Sequence, residues 1–292
     1  MNKWWVYQKE RFPVLKNGLL VLAFSGAAVT YSGLITASSV SWKSYTVAFI
    51  SCFLFFLQLR IADEFKDAEE DALHRPYRPV PRGLITLHEL KVVFLISCVI
   101  QFALAFIISP YLLITLGITW LYLALMSQEF FVREWIVQRP ITYLWTHMLI
   151  MPLIDLYATS CQWISAGEKP WLGLTSFLGA SFGNGLVIEI GRKLRLPANE
   201  EVGVPTYSKL WGLKRALIIW WGSLLGTLVF ACIAASRINA LPLTSISLTF
   251  LLFSALLLCC KSQWHSEKHF EAFSGLWTLV LYLNLGIIPT FL

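Results

Sequence analysis

The chain has 292 residues, 57% hydrophobic and only 14% charged, with a formal net charge of +6 and a mean hydropathy of +0.65. Soluble domains carry about a quarter charged residues, so this composition excludes an ordinary soluble globule and points to lipid. The positive balance follows the ends of the apolar windows rather than a basic patch, which gives no support to nucleic-acid binding.

The opening stretch MNKWWVYQKERFPVLKNG has four basic residues among aromatics and no small-residue cleavage site. It reads as an interfacial lead-in and not as a cleaved signal peptide. Apolar windows then begin near Leu15, Ser44, Leu87, Tyr111, Ile141, Trp171, Ala216, Leu241 and Phe273. Each is long enough to cross a ~30 Å hydrocarbon core as a helix of about 20 residues. The expectation is an all-α polytopic membrane protein, with nine transmembrane helices in a bundle around a central cavity and one domain over residues 1–292. The third and fourth windows are parted only by Ser109 and Pro110.

With nine spans, 20 of the 23 Lys and Arg fall on one side, and only Lys43, Lys169 and Arg237 on the other. The positive-inside rule then places the N-terminus and the segments after the second and sixth windows in the cytoplasm. The cysteines (Cys52, Cys98, Cys161, Cys232, Cys259 and Cys260) form no C-x-x-C pair. They read as small core residues with free thiols.

Two charged segments interrupt the apolar pattern. The first, RIADEFKDAEEDALHRPYRPVPRG, places Asp63, Glu64, Asp67, Glu69, Glu70 and Asp71 within nine residues. Asp63, Asp67 and Asp71 are spaced i, i+4, i+8, so a continuing helix stacks them on one face, where each like-charged pair costs a few tenths of a kcal/mol. A hard divalent cation binding through oxygen would offset that repulsion. Arg75, Arg78 and Arg82 follow, with guanidinium forks suited to phosphate oxygens. The plain alternative is a solvated acidic helix end.

Four windows separate this segment from the second, EIGRKLRLPANEEVGVPTYSKLWG, a spacing that looks like an internal repeat of a four-helix unit. Asn184 and Glu189 lie at or near membrane depth, where polar groups are candidates for function. Between the two segments, HMLIMPLID sets His147, Met151 and Asp155 on one helical stripe, with Pro152 blurring the register. Asp155 lies either deep in the bundle or near the far interface.

The two charged segments resemble those of the UbiA superfamily of membrane-embedded prenyltransferases, whose members have nine transmembrane helices and Asp-rich motifs after helices two and six. DEFKDAEED is similar to the first motif, N-D-x-x-D-x-x-x-D. Asp63 stands in the Asn place, Glu64 in the following Asp place, and Asp67 and Asp71 are retained. RPYRPVPRG resembles the R-P-x-x-x-G continuation. The second motif, D-x-x-D-x-x-x-D, is altered: Glu189 stands for the first Asp and Arg192 occupies the second place. Asn199, Glu200 and Glu201 come about three residues late, while Gly203 and Thr206 keep the family spacing. The family's Tyr/Lys pair near the loop after helix four has Tyr122 and Arg133 as its nearest candidates.

The resemblance implies Mg²⁺ held by Asp63, Glu64, Asp67 and Asp71 on one side and by Glu189 with Glu200 or Glu201 on the other. It implies a diphosphate held by Arg75, Arg78, Arg192, Lys193, Lys209 and Tyr207. Asp67 and Asp71 would serve catalysis, and Asp155 or His147 would orient the acceptor or take its proton. The implied reaction moves an isoprenyl group from an isoprenyl diphosphate to an aromatic or other hydrophobic, lipid-soluble acceptor within the bilayer. The 13 Trp, 20 Phe and 10 Tyr could include rings that stabilise the allylic cation, although most serve packing or face lipid. The alternatives are a terpene cyclase that uses no acceptor, and a transport or non-enzymatic membrane protein.

Overall fold

Long apolar runs leave the backbone no polar partner in lipid except itself, and that selects helices. The computed structural model describes residues 2–169, 172–196, 199–200, 203–260 and 267–291, with no strand among them. Helix α1 (Lys3–Arg11) is capped by the Asn2 side chain, which accepts from the Trp4 N–H at 2.9 Å. Then come α2 (Val14–Thr36), α3 (Trp42–Lys66), which starts at a Ser41 cap, and the short α4 (Ala68–His74). A Thr86/Glu89 capping box opens α5 (Leu87–Ile108). Ser109 and Pro110 divide α5 from α6 (Leu112–Ser127), as the sequence suggested.

Helices α7 (Arg133–Val137), α8 (Pro140–Met148) and α9 (Ile150–Trp163) follow. The chain continues through α10 (Leu172–Arg192), α11 (Tyr207–Trp211), α12 (Leu213–Ser236), α13 (Leu241–Cys260) and α14 (Glu267–Tyr282). Among the described residues, six helical stretches are long and apolar enough to cross a membrane: Val14–Thr36, Trp42–Lys66, Leu87–Ile108, Leu213–Ser236, Leu241–Cys260 and Lys268–Phe291. Helix α6 is apolar but shorter. The window from Ile141 is split between α8 and α9, and that from Trp171 carries Asn184, Glu189 and Arg192 within α10. Length and composition thus establish six spans where the sequence suggested nine.

Helix α2 is buried without a gap from Ala27 through Gly33. Its backbone meets the turn after α14 so closely that a Cβ on Gly286 would lie 2.2 Å from Ala27 Cα. Helices α10 and α12 approach in the same way at Gly183, where a Cβ would stand 2.5 Å from Thr227 Oγ1. Small residues at such contacts let helices pack where lipid removes the hydrophobic drive. The lipid-facing belt carries exposed Val99, Phe102 and Phe106 on α5, and Ile246, Phe250 and Phe253 on α13. Inside, polar side chains satisfy one another across helices. Gln58 donates to Gln101 at 2.9 Å, and Trp120 donates to the same Gln101 oxygen at 3.0 Å.

Gly286→Ala is expected to destabilise the protein by about 1–3 kcal/mol through overpacking. Gly226→Ala, which meets open space, is expected to leave stability unchanged or slightly higher. Thermal unfolding of the two variants in detergent checks this pair.

Candidate functional site

The site begins where α3 leaves the apolar layer. Helix α3 ends at Lys66, and Asp67 (φ −93°, ψ 7°) interrupts the helix before α4 restarts. The i to i−4 ladder nevertheless persists: Asp67 N–H donates to Asp63 C=O at 2.9 Å and Asp71 N–H to Asp67 C=O at 2.8 Å. The three Asp residues therefore follow one another at turn spacing, as the sequence suggested, but their environments differ sharply.

Asp71 is buried, with its two oxygens 2.9 Å from Arg75 Nη1 and 2.5 Å from Arg78 Nη1. Glu64 is buried too, and is ion-paired with Arg11 of α1. Asp63 has a half-exposed side chain 3.3 Å from Arg60 Nη1. Asp67 has no side-chain hydrogen bond or ion pair among the described residues. Burial raises its pKa, and the Asp63, Asp71 and Glu70 carboxylates raise it further against the pull of Lys66. A carboxylate so placed lacks a cation.

The second segment starts at the end of α10. Glu189 is buried, 2.6 Å from Arg192 Nη2 and 2.8 Å from Lys193 Nζ. Glu200 accepts from the Thr206 hydroxyl at 2.7 Å, while Glu201 lies outside the described residues. Tyr207 stacks on Trp211 with ring centroids 4.6 Å apart, and Lys193 Nζ sits 5.6 Å from its ring centre. Burial and then Glu189 raise the Tyr207 pKa, so the phenol stays protonated. Lys209 is exposed.

The two segments meet. Gly203 takes φ +76° and passes so close to the His74 ring that a Cβ would come within 2.4 Å. Asp63 lies within electrostatic reach of Arg192. Tyr143 of α8 feels Glu129, Glu189, Asp67 and Asp63 together.

Three residues of this centre escaped the sequence reading: Lys66, Glu129 and Tyr143. Glu129, Phe130 and Phe131 form one turn after α6 with φ of 49°, 53° and 60°. Side chains with a Cβ rarely adopt that left-handed region, at a cost of about 1–3 kcal/mol each. The turn buries Glu129 and sets it 2.5 Å from Lys66 Nζ and 3.1 Å from His147 Nε2. Lys66 also donates to the Tyr143 hydroxyl. His147 stacks on Tyr143 at 3.9 Å, with Nδ1 2.8 Å from the Tyr143 carbonyl oxygen. Burial tends to raise the Glu129 pKa, but His147 and Lys66 outweigh it and hold the carboxyl below its usual value. No local spacing connects these residues; only the fold does.

Asp155 is fully buried on α9. Its Oδ2 accepts from Tyr282 at 2.8 Å, and Oδ1 has no partner among the described residues. Met151 is also buried. Tyr122 donates to the Thr146 carbonyl at 2.6 Å, and Arg133 is exposed at the start of α7.

Among the described residues no three His, Cys, Asp or Glu side chains form a ready metal cage. Mg²⁺ usually takes only one or two carboxylates and completes its shell with water and phosphate. Unpaired Asp67 beside half-exposed Asp63 meets that demand.

The sequence profile of the UbiA prenyltransferase family matches residues 19–280. No curated protein sequence matches the chain. Among solved structures, a UbiA homologue from Aeropyrum pernix K1, described in its apo form, superposes with a TM-score of 0.71 at 11% identity, over 94% of this chain and 98% of that one. A digeranylgeranylglyceryl phosphate synthase superposes with a TM-score of 0.67 at 16% identity, over the full length of both chains. A UbiA homologue from Archaeoglobus fulgidus bound to DMAPP and Mg²⁺ gives a TM-score of 0.59 at 14% identity, over 93% and 97%. At these identities the superpositions establish a shared fold.

Glu129→Gln strands Lys66 in a buried setting and is expected to cost about 3–5 kcal/mol at pH 7. Because the folded-state pKa lies below the ordinary 4.5, that stabilisation is fully present above 4.5. It disappears as the pH falls through the depressed value. Denaturation of the wild type and the variant between pH 7 and pH 3 is expected to show the gap closing.

Proposed function

Because the chain belongs to the UbiA prenyltransferase family, we propose that it is a multi-pass membrane enzyme that moves an isoprenyl group from a prenyl diphosphate to an aromatic or other lipid-soluble acceptor. The observation that carries this reading is the unpaired Asp67, left among the Asp63, Asp71 and Glu70 carboxylates. The family homologue from Archaeoglobus fulgidus bound to DMAPP and Mg²⁺ supports it.

Mg²⁺ held by Asp63 and Asp67 would neutralise charge on the diphosphate as it departs. Arg75 and Arg78, braced by Asp71, keep further N–H donors free for phosphate oxygens. Glu189 holds Arg192 and Lys193 in place, so the second segment presents two cations to the same anion. In this reading Glu64, Glu189 and Glu200 act as anchors for Arg11, for the Arg192–Lys193 pair and for Thr206. Tyr207, with its proton retained, can donate to a phosphate oxygen, and Lys209 adds a cation at the rim.

The allylic C–O bond breaks and its electron pair leaves with the diphosphate. Phe24, Phe177, Tyr282, Phe55 and Tyr157 form buried edge-to-face and tilted contacts in the bundle. They keep water away and offer ring faces to the allylic cation. The acceptor nucleophile then bonds to the allylic carbon and loses its proton. Asp155, with one oxygen bare and one held by Tyr282, is placed to orient the acceptor inside the bundle. His147, held at the charged end between the Tyr143 carbonyl and the Glu129 carboxylate, is placed to orient the acceptor.

The same reading makes the chain one domain over residues 1–292, with nine spans. Helices α6, α8–α9 and α10 supply the three beyond those set by length and composition, and the N-terminus and both charged segments are cytoplasmic.

Membranes containing the protein, given labelled prenyl diphosphates of several lengths with candidate aromatic acceptors, test the proposal. Coupled product is expected. It should fall at least about 100-fold in Asp67→Asn, the scale of losing one essential electrostatic stabiliser, and equally on chelation of Mg²⁺. Product formed from the diphosphate alone would favour a cyclase, and undiminished activity in Asp67→Asn would overturn the proposal.

A further inference from the structure

Beside the charged centre, and reaching its Lys66 and Glu129, a cavity of about 850 Å³ opens in the wall formed by α3, α5 and α6. Its apolar lining includes Ile61, Phe65, Phe94, Trp120 and Leu123. Phe65 and Ala124, both lining it, are exposed on the bundle's outer face, so the groove opens sideways into the hydrocarbon. The size lies within the range of about 300–1,000 Å³ that holds one small ligand. Acyl chains fill such a groove in any bilayer; what a protein selects is the headgroup.

The polar end of the groove makes that selection. Lys91 from the second turn of α5 and Arg133 from the start of α7 both line it. Neither has a hydrogen bond or ion pair among the described residues. Glu89, nearest to Lys91 in sequence, is taken by Lys3. Glu134 lines a separate dent with Arg133, Val137 and Gln138. At the floor, Lys66 is neutralised by Glu129, so Lys91 and Arg133 are the rim's cations without an ion pair among the described residues. Ser127 and Gln128 add hydrogen-bonding groups beside them. Exposed Trp135 on α7, with the Arg139 guanidinium 4.4 Å from its ring centre, marks this end as the level where headgroups lie.

We propose that the groove between α3, α5 and α6 binds an anionic phospholipid of the surrounding bilayer, its headgroup on Lys91 and Arg133 and one acyl chain along Phe94, Trp120 and Leu123. The site stands on two cations that are not paired with a carboxylate of the charged centre among the described residues. Its floor, however, is the Lys66–Glu129 pair, so an occupant touches the residues that also hold His147.

The purified full-length protein, reconstituted with phosphatidylglycerol carrying a photoactivatable diazirine in its acyl chain, provides the test. Peptides bearing Phe94 and Trp120 are expected to be labelled at least five-fold more than by the matching phosphatidylcholine probe. The double variant Lys91→Gln/Arg133→Gln should bring phosphatidylglycerol labelling down to the phosphatidylcholine level. Lys214→Gln/Arg215→Gln, which removes two exposed cations elsewhere at the start of α12, should leave it intact. Excess soluble glycerol phosphate should not compete. Equal labelling by the two lipids, equal loss in both double variants, or full competition by glycerol phosphate would each overturn the proposal.

Discussion

Carboxylates at the mouth of an apolar helix have lost part of their water and demand cations, and the arrangement of this end of the bundle follows from how that demand is met. Arg11 answers Glu64 and so draws α1 against α3. Arg75 and Arg78 answer Asp71 and fold the proline-rich connection back over α4. Lys66 answers Glu129, and Arg192 with Lys193 answers Glu189. Breaking a buried pair of this kind costs about 3–5 kcal/mol because the surviving charge is stranded. Asp67 is outside this scheme, with a pKa raised by burial and by its acidic neighbours. The internal cations thus organise the scaffold and leave the half-buried Asp67 without one among the described residues.

The two charged segments divide the task unequally. The first supplies oxygen donors, whereas the second turns its acid inward to hold a guanidinium and an ammonium. Both would face a diphosphate, the first through the proposed metal and the second directly. Gly203 makes this convergence possible: its positive φ and the absence of a Cβ let the second loop lie against His74 at the end of α4. Beneath them the bundle is packed with buried aromatic rings, and Asp155 is bonded to Tyr282.

Much of this was legible in the sequence because it is local. The spacing of Asp63, Asp67 and Asp71 survives in the backbone ladder, and Ser109–Pro110 ends a helix where Pro removes a donor. The resemblance in the two charged segments identified the family. Other features depend on pairs distant in sequence. Nothing near Glu129 announces a left-handed turn, since the residues there are Glu and Phe rather than Gly or Asn. The meeting of Glu129 with Lys66 and His147 is therefore a product of tertiary packing. The i, i+3 and i, i+4 positions of Arg192 and Lys193 relative to Glu189 were visible, yet spacing alone does not distinguish an ion pair from a metal ligand. Pro152 lies within α9, and the helix breaks before it: Pro152 has no N–H for the Met148 carbonyl, and α8 ends at Met148. His147, Met151 and Asp155 are nonetheless all buried.

In the proposed function Asp67 holds a cation shared with a diphosphate. Calorimetric titration of the purified protein with a non-reactive geranyl thiodiphosphate, with and without Mg²⁺, tests it most directly. The account expects binding that requires Mg²⁺ and falls at least ten-fold in Asp67→Asn. Binding of equal strength without Mg²⁺, or unchanged by that substitution, would contradict it.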